Sequence, residues 1–469
     1  MNKPIFFLIS AFALFQIAFA QDETTSLPES TYNSDSIKLL IEVPFVDFPY
    51  QSIATQTRKN FIKSYANPSM AQSLGLSAGL YCGVHYGVKQ AFKTLKSGFL
   101  RKFLTYTGVA VADYFLMTLP LGTAWLHEEY HRAVLTRRKI NSFNDVYKFN
   151  ITSPTIAVSR LKDGDLANLS DNYKADFRRL QTAGIEGEYH LVQRMQKYNF
   201  YYSQGLPHQI YYFLVTLNSA WYVSECATPQ IDELIDEHNQ KEGSNIEVRD
   251  FTGPDFTAWV DALFNPNVPY AARGTHPSGV GINRYIKYAD LAPNERAYLK
   301  RQGNRQFLNF ISPMMIGFNK IKLKSTEKGN IYGNFALRHI LTPFGEDVCL
   351  DLYYQSPSEY AKNIFFSIHN YSNYNESFMG LEFGIFRQSI LKKFELDTRL
   401  MLWNQPKNQD FYTTEQQTGG LLGLTVFYPV AQKWYPFAEI EGKTKGWVMG
   451  NVFLEENLSF RVGLRFSHF

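Results

Sequence analysis

The feature that most constrains this chain is a change of hydrophobic period near residue 312. Beyond it, apolar residues recur at every second position. Val348, Leu350, Leu352 and Tyr354 alternate with Cys349, Asp351, Tyr353 and Gln355. Met379, Leu381, Phe383 and Ile385 alternate with Gly380, Glu382 and Gly384, and Phe394, Leu396, Leu400 and Leu402 with Glu395, Asp397 and Arg399. Leu422, Leu424, Val426 and Tyr428 form another row, and Phe460, Val462, Leu464 and Phe466 a last one. Side chains on a strand point alternately to its two faces, so each row predicts a strand with one apolar and one polar, partly charged face. About eight such segments run from Ile331 to the C terminus, or nine if 314–324 is included, with turns at Pro343 to Glu346 and Asn373 to Glu376.

The preceding half has a different pattern. Residues 55–310 carry helix-like periodicity over 68–96, 101–119, 122–138, 172–198, 207–226 and 229–240. The 104–121 stretch is apolar, but Asp113 in its middle and Pro120 near its end favour a buried helix over a membrane span. Residues 241–290, rich in Gly, Pro, Asn and Asp, read as a long loop region.

Composition narrows the class. Hydrophobic residues make up 45% and charged residues 19%, which excludes wholesale disorder. A net charge of +4, from 47 basic against 43 acidic residues, gives no argument for nucleic acid as a partner. Three cysteines, Cys82, Cys226 and Cys349, exclude a disulfide scaffold. Residues 1–20 read as a secretory signal peptide, with Lys3, an apolar run from Ile5 to Phe15, and Ala18-Phe19-Ala20 as cleavage site. Residues 21–54 follow as a flexible segment, polar over 21–36.

Aromatic residues are abundant at 16%, and Tyr353, Tyr354, Trp403, Tyr428, Trp434 and Tyr435 crowd the segment ends. Those positions, the segment lengths and the terminal Phe469 resemble bacterial outer-membrane β-barrel proteins over about 140–155 residues. The resemblance implies an antiparallel, eight-stranded transmembrane barrel over 311–469, with the lipid bilayer of the outer membrane as a partner.

One motif carries chemistry. His127-Glu128-Glu129-Tyr130-His131 is an H-E-x-x-H. On a helix its histidines share a face and can bind one Zn²⁺, with Glu128 beside them as a base for water. The plainer reading is a helix with two histidines and a Glu128–Arg132 pair. A third ligand is expected from Ala183-Gly184-Ile185-Glu186-Gly187-Glu188-Tyr189-His190. There Glu186 is placed first and Glu188 second, while His190 is read as a ligand, a supporting group or exposed. Gly184 and Gly187 would let this helix approach another closely, at a cost of about 1 kcal/mol each in helix propensity. Asp113 is read either as orienting a ligand histidine or as a solvated carboxylate. His208, after Pro207, reads as a helix-boundary residue. Gly279-Val280-Gly281 lacks the strand-to-helix setting of a phosphate loop.

Thr275-His276-Pro277 and Arg284 complete a pattern that resembles the membrane-associated gluzincin metallopeptidases. The resemblance implies His127, His131 and Glu186 as zinc ligands, Glu128 as general base, and His276 and Arg284 as supporting catalytic groups. The expectation is therefore an α+β envelope protein. A helical, zincin-like domain over 55–310 precedes the barrel and faces the periplasm, and a protein or peptide is the substrate. The rival is a non-enzymatic outer-membrane protein whose helical domain binds a partner or plugs the barrel.

Overall fold

The computed structural model describes residues 39–58, 67–148, 156–202, 207–358, 362–390 and 394–468. The signal-peptide and lead-in readings over 1–36, and Phe469, lie outside them. Among the described residues a ten-stranded antiparallel sheet dominates. It is built from β1 (Leu39–Phe48) and from β4 (Ile321–Thr326), β5 (Gly329–Thr342), β6 (Gly345–Gln355), β7 (Asn363–Ser372), β8 (Ser377–Ile390), β9 (Phe394–Pro406), β10 (Gln416–Phe427), β11 (Trp434–Lys443) and β12 (Asn457–His468). A separate short pair joins β2 (Phe143–Asn144) and β3 (Val158–Ser159).

Strands β4 to β12 form a meander in sequence order, and β12 then pairs with β1, Leu39 lying opposite His468 and Phe48 opposite Phe460. The expected turns at 343–346 and 373–376 join β5 to β6 and β7 to β8. Part of the segment expected to be flexible up to residue 54 is thus a strand. Its partner lies at the far end of the chain, so no local pattern announces the pairing.

The expected closed eight-stranded barrel is corrected by this topology. β1 and β4 stand at opposite edges and do not pair with each other among the described residues. The physical reason lies on the inner face. Small barrels fill their interior with side chains alone. Here a 28-residue helix, Lys174–Tyr201, lies against that face. Its Arg194 reaches Glu42 Oε1 at 3.1 Å, Gln193 donates to Asp351 Oδ2 at 3.0 Å, and Arg178 Nε donates to Pro343 O at 2.7 Å. A helix with its side chains is about 10 Å across, too wide for an eight-stranded interior. Among the described residues the ten-stranded sheet is open, and helix Met70–Ala91 packs along β1. It starts on a capping box between Ser69 and Gln72, and a Cβ at Gly75 would lie 2.7 Å from Glu42 O.

The two faces of the sheet are inverted relative to a soluble sandwich. Met379, Leu381, Phe383, Leu400, Leu402, Leu422, Leu424, Leu458 and Phe460 are exposed on the outer face. The inner face carries buried ion pairs, Arg338–Asp351, Arg399–Glu382, Arg461–Asp47 and Arg465–Glu42. The helical and strand halves share one interior: Trp259 lies in a buried cluster with Trp403 and Trp447.

Numbered in chain order, the helices are α1 (Tyr50–Arg58), α2 (Met70–Ala91), α3 (Gly98–Leu116), α4 (Thr123–Arg137), α5 (Asp163–Asn172), α6 (Lys174–Tyr201), α7 (Pro207–Cys226), α8 (Ile231–Glu242), α9 (Asp255–Phe264) and α10 (Pro293–Arg305). No helix among the described residues is long and apolar enough to cross a membrane, the 104–121 stretch in α3 included. α9 falls within the span read from sequence as loop. It is held to the sheet through Trp259 Nε1, which donates to Thr342 O at 3.1 Å.

Candidate metal centre

The H-E-x-x-H motif lies on α4, every residue of which from Thr123 to Thr136 is buried. His127 and His131 sit one turn apart on one face, as the i,i+4 spacing requires. Both imidazoles are fixed through Nδ1. His127 Nδ1 donates to Glu188 Oε1 at 2.9 Å, and His131 Nδ1 donates to Leu180 O at 2.5 Å. A backbone carbonyl oxygen only accepts, so His131 carries a proton on Nδ1, and in both rings Nε2 is the nitrogen turned toward Asp255.

Those two nitrogens converge on Asp255. His127 Nε2 lies 3.3 Å and His131 Nε2 3.6 Å from Asp255 Oδ2. His127, His131 and Asp255 form a buried group able to hold a metal ion. The spacing fits: two ligands each about 2.0–2.1 Å from a tetrahedral ion stand about 3.3 Å apart. A Cβ on Gly184 of α6 would lie 2.2 Å from His127 Nε2 and 2.4 Å from His131 Nε2, so only glycine fits against both nitrogens. The expected close approach of this helix is borne out again at Gly187, whose Cβ would lie 3.0 Å from the Tyr130 ring.

Each ligand is braced from behind. Glu188 receives a second hydrogen bond from Ser219 Oγ on α7. Tyr222 on α7 donates its hydroxyl proton to Asp255 Oδ2 at 3.1 Å and accepts the Asp255 N–H at 3.0 Å. Asp250 accepts from Val158 N, Phe251 N and Gly253 N at 2.8–3.2 Å, shaping the turn that leads into Asp255.

The expected third ligand Glu186 is corrected. Its carboxylate accepts from Arg179 at 2.7 Å, Gly450 N at 2.8 Å and Trp447 Nε1 at 3.3 Å. On a helix, Glu186 is rotated about 200° from Gly184, while Glu188, four residues on, shares the Gly184 face. Glu188 therefore meets His127, and Glu186 faces the β11–β12 loop. His190 meets the Tyr130 hydroxyl at 3.1 Å through Nδ1. Asp113 bonds His85 at 2.6 Å, so it orients neither motif histidine. Arg132 pairs with Glu129 rather than Glu128.

His276 and Arg284 make their hydrogen bonds elsewhere. His276 Nδ1 meets Ser278 Oγ at 2.9 Å in a local turn. Arg284 donates to Asp163, to Leu161 O and to the carbonyls of Arg249 and Asp250 at 2.8–3.1 Å. It anchors the backbone leading to Asp255 and acts at one remove. Sequence reasoning missed Asp255. The available signal was Pro254-Asp255 opening the apolar run Phe256 to Phe264, a helix start.

Burial and charge set the protonation of the metal-free site. Burial pushes the Glu128 carboxyl up to about 7, against His127 and His131, which favour its charge, and with Asp255 and Asp145, which oppose it. Burial would likewise raise Asp255, but His131 and His127 hold it down at about 2. Burial opposes charge on His127, yet the bonds to Asp255 and Glu188 hold its pKa well above the usual histidine range. Such opposed pKa shifts in one cluster mark functional sites.

No family model, curated protein or solved structure matches this chain.

Proposed function

We propose that the chain is a zinc-dependent peptidase seated in a bacterial outer membrane. One observation carries the peptidase reading: His127 Nε2 and His131 Nε2 converge on Asp255 Oδ2, with Glu128 next in sequence to the first histidine. A zinc ion held by these three residues supplies Lewis acidity, polarising a carbonyl and making water a nucleophile at neutral pH. Glu128 takes the proton from the attacking water and passes it to the leaving amine. Glu188 keeps the proton of His127 on Nδ1 and so keeps Nε2 available. Tyr222 holds the Asp255 carboxylate in register with the histidine pair.

The membrane placement rests on the inverted sheet, and it requires the β1 and β4 edges, which do not pair with each other among the described residues, to be covered within the bilayer. Strands β5 to β12 run to 10–14 residues, enough for a tilted span, and their outer face is apolar while the inner face is charged.

The test is metal analysis and peptide-library cleavage with purified full-length protein. His127→Ala is expected to lose about one zinc per chain. Glu128→Gln is expected to keep its metal and lose cleavage by about 100-fold or more. The second reading is a non-enzymatic outer-membrane protein. It is favoured by the burial of Glu128, only 4% exposed, and by α6 lying against the inner face of the sheet. Wild-type protein that binds zinc at His127 but cleaves nothing sustains that reading instead.

A further inference from the structure

We infer that the inner face of the sheet holds a second metal site, formed by Asp347, Cys349 and His369, for a borderline-soft divalent ion such as zinc. Asp347 and Cys349 are alternate residues of β6 and point to the same face. His369 lies directly opposite Cys349 in the β6–β7 register. One ligand atom from each of the three comes within 4.8 Å of the other two. All three side chains are buried, with Asp347 at 0%, Cys349 at 1% and His369 at 7% exposure.

An ordinary ion pair explains only half of what is there. Asp347 Oδ2 and His369 Nδ1 are 2.8 Å apart, a good hydrogen bond. It leaves Asp347 Oδ1 and His369 Nε2 as buried polar atoms with no hydrogen-bond partner among the described residues. Burying such groups unpaired costs on the order of 1–3 kcal/mol each, and native interiors seldom tolerate it without a bound water or ion. One carboxylate oxygen of Asp347, one imidazole nitrogen of His369 and the Cys349 thiol lie within 4.8 Å of one another in the same buried cluster.

The donor set selects the ion. Thiolate and imidazole together favour zinc and its thiophilic neighbours over magnesium or calcium, which prefer oxygen ligands. A metal ion in place of the proton shared by Asp347 Oδ2 and His369 Nδ1 would bind both atoms, with Cys349 as the third ligand. The site shares no residue with His127, His131 and Asp255, which contain no sulfur. Its position ties β6 to β7 behind the apolar outer face, so its role is to cross-link the sheet.

The absence of sulfur from the first centre makes the two sites separable by spectroscopy. Metal-stripped full-length protein would be titrated with cobalt(II). The expected result is a thiolate-to-cobalt charge-transfer band in the near ultraviolet, lost in Cys349→Ser, weakened in His369→Gln and retained in His127→Ala. Cobalt bound with no such band in wild type overturns the proposal. So does a band that persists in Cys349→Ser, because its sulfur then belongs to Cys82 or Cys226. A measurement on wild-type protein alone guards against variants that do not fold. X-ray absorption of protein loaded with two equivalents of zinc should show a sulfur neighbour at about 2.3 Å. A shell of nitrogen and oxygen only overturns the site.

Discussion

Gly184 and Glu188 stand one turn apart on α6 and divide the work of presenting His127. Glu188 Oε1 accepts the Nδ1 proton at 2.9 Å, while a Cβ at Gly184 would lie 2.2 Å from Nε2 on the ring's other nitrogen. One residue fixes the ring from behind and the other leaves its front clear. Gly184→Ala is therefore expected to do two things. It drives a methyl group into both ligand nitrogens, displacing the rings, and it overpacks a helix crossing, at a cost of about 1–3 kcal/mol. Zinc content and Tm should both fall, and the loss of zinc should persist at temperatures where the variant remains folded.

Glu188→Gln tests the bracing without changing shape. The amide can still accept from His127, but it carries no charge to raise the basicity of the ring, and Ser219 keeps a partner. Metal affinity, measured by competition with a chromogenic chelator, is expected to drop about 10–100-fold. An unchanged affinity would show that the Glu188–His127 bond is only packing.

Glu128 gives a pH signature in metal-free protein. Its folded pKa, about 7, lies above the ordinary glutamate value of 4.5. The folded state therefore holds the proton that the unfolded state releases, and stability declines as pH rises from about 4.5 to 7, then levels off. Glu128→Gln removes this term. In chelator at pH 8 the variant is expected to exceed wild type in stability by on the order of 3 kcal/mol, and the two should converge near pH 4. Denaturant melts at both pH values measure the difference. Wild type as stable as the variant at pH 8 would mean that Glu128 ionises freely.

What was legible from sequence followed from local rules. Period-two rows such as Leu400/Leu402 against Arg399 gave strands and their faces, because side-chain alternation is a property of the strand alone. The His127–His131 spacing gave one helix face. Closure of the sheet was not legible, since it depends on what fills the interior, here α6 with Arg178, Gln193 and Arg194 bonding to strand residues. Nor was the pairing of β1 with β12, which joins Leu39 to His468. Asp255 was hidden by the composition of 241–290, where a helix of ten residues interrupts loop-like sequence. Glu186 and Glu188 differ by about 200° in helical phase, and it is Glu188, not Glu186, that meets His127. The close approach inferred at Gly184 already pointed to the residue four positions on.

The outer face can be tested with one charge. Leu400 is exposed between Phe383 of β8 and Leu422 of β10, both also exposed. On a face bathed in water, Leu400→Lys is a surface change within about 0.5 kcal/mol. On a face bathed in lipid, a lysine near mid-strand costs about 2–4 kcal/mol. Refolding into liposomes should therefore show a loss of stability in the variant, and detergent-free solubility should rise. A variant as stable as wild type in liposomes would take the sheet out of the bilayer.

Asp255→Asn and Glu186→Gln form the sharpest pair for the metal centre, because the two carboxylates are both buried but sit in opposite settings. Asp255 faces two imidazole nitrogens at 3.3 and 3.6 Å. Its amide is a poor metal ligand, so Asp255→Asn is expected to lose the zinc that His127→Ala loses. Because Asn can still bond Tyr222, the variant should stay folded. Glu186 is paired with Arg179 at 2.7 Å, and both side chains are fully buried. Glu186→Gln leaves that guanidinium without a counter-charge, which costs about 3–5 kcal/mol. It is therefore expected to lower Tm while holding its zinc. Metal analysis beside thermal melts of the two proteins separates the roles. Zinc lost from Glu186→Gln and kept by Asp255→Asn would return the third ligand to α6 and overturn the assignment to α9.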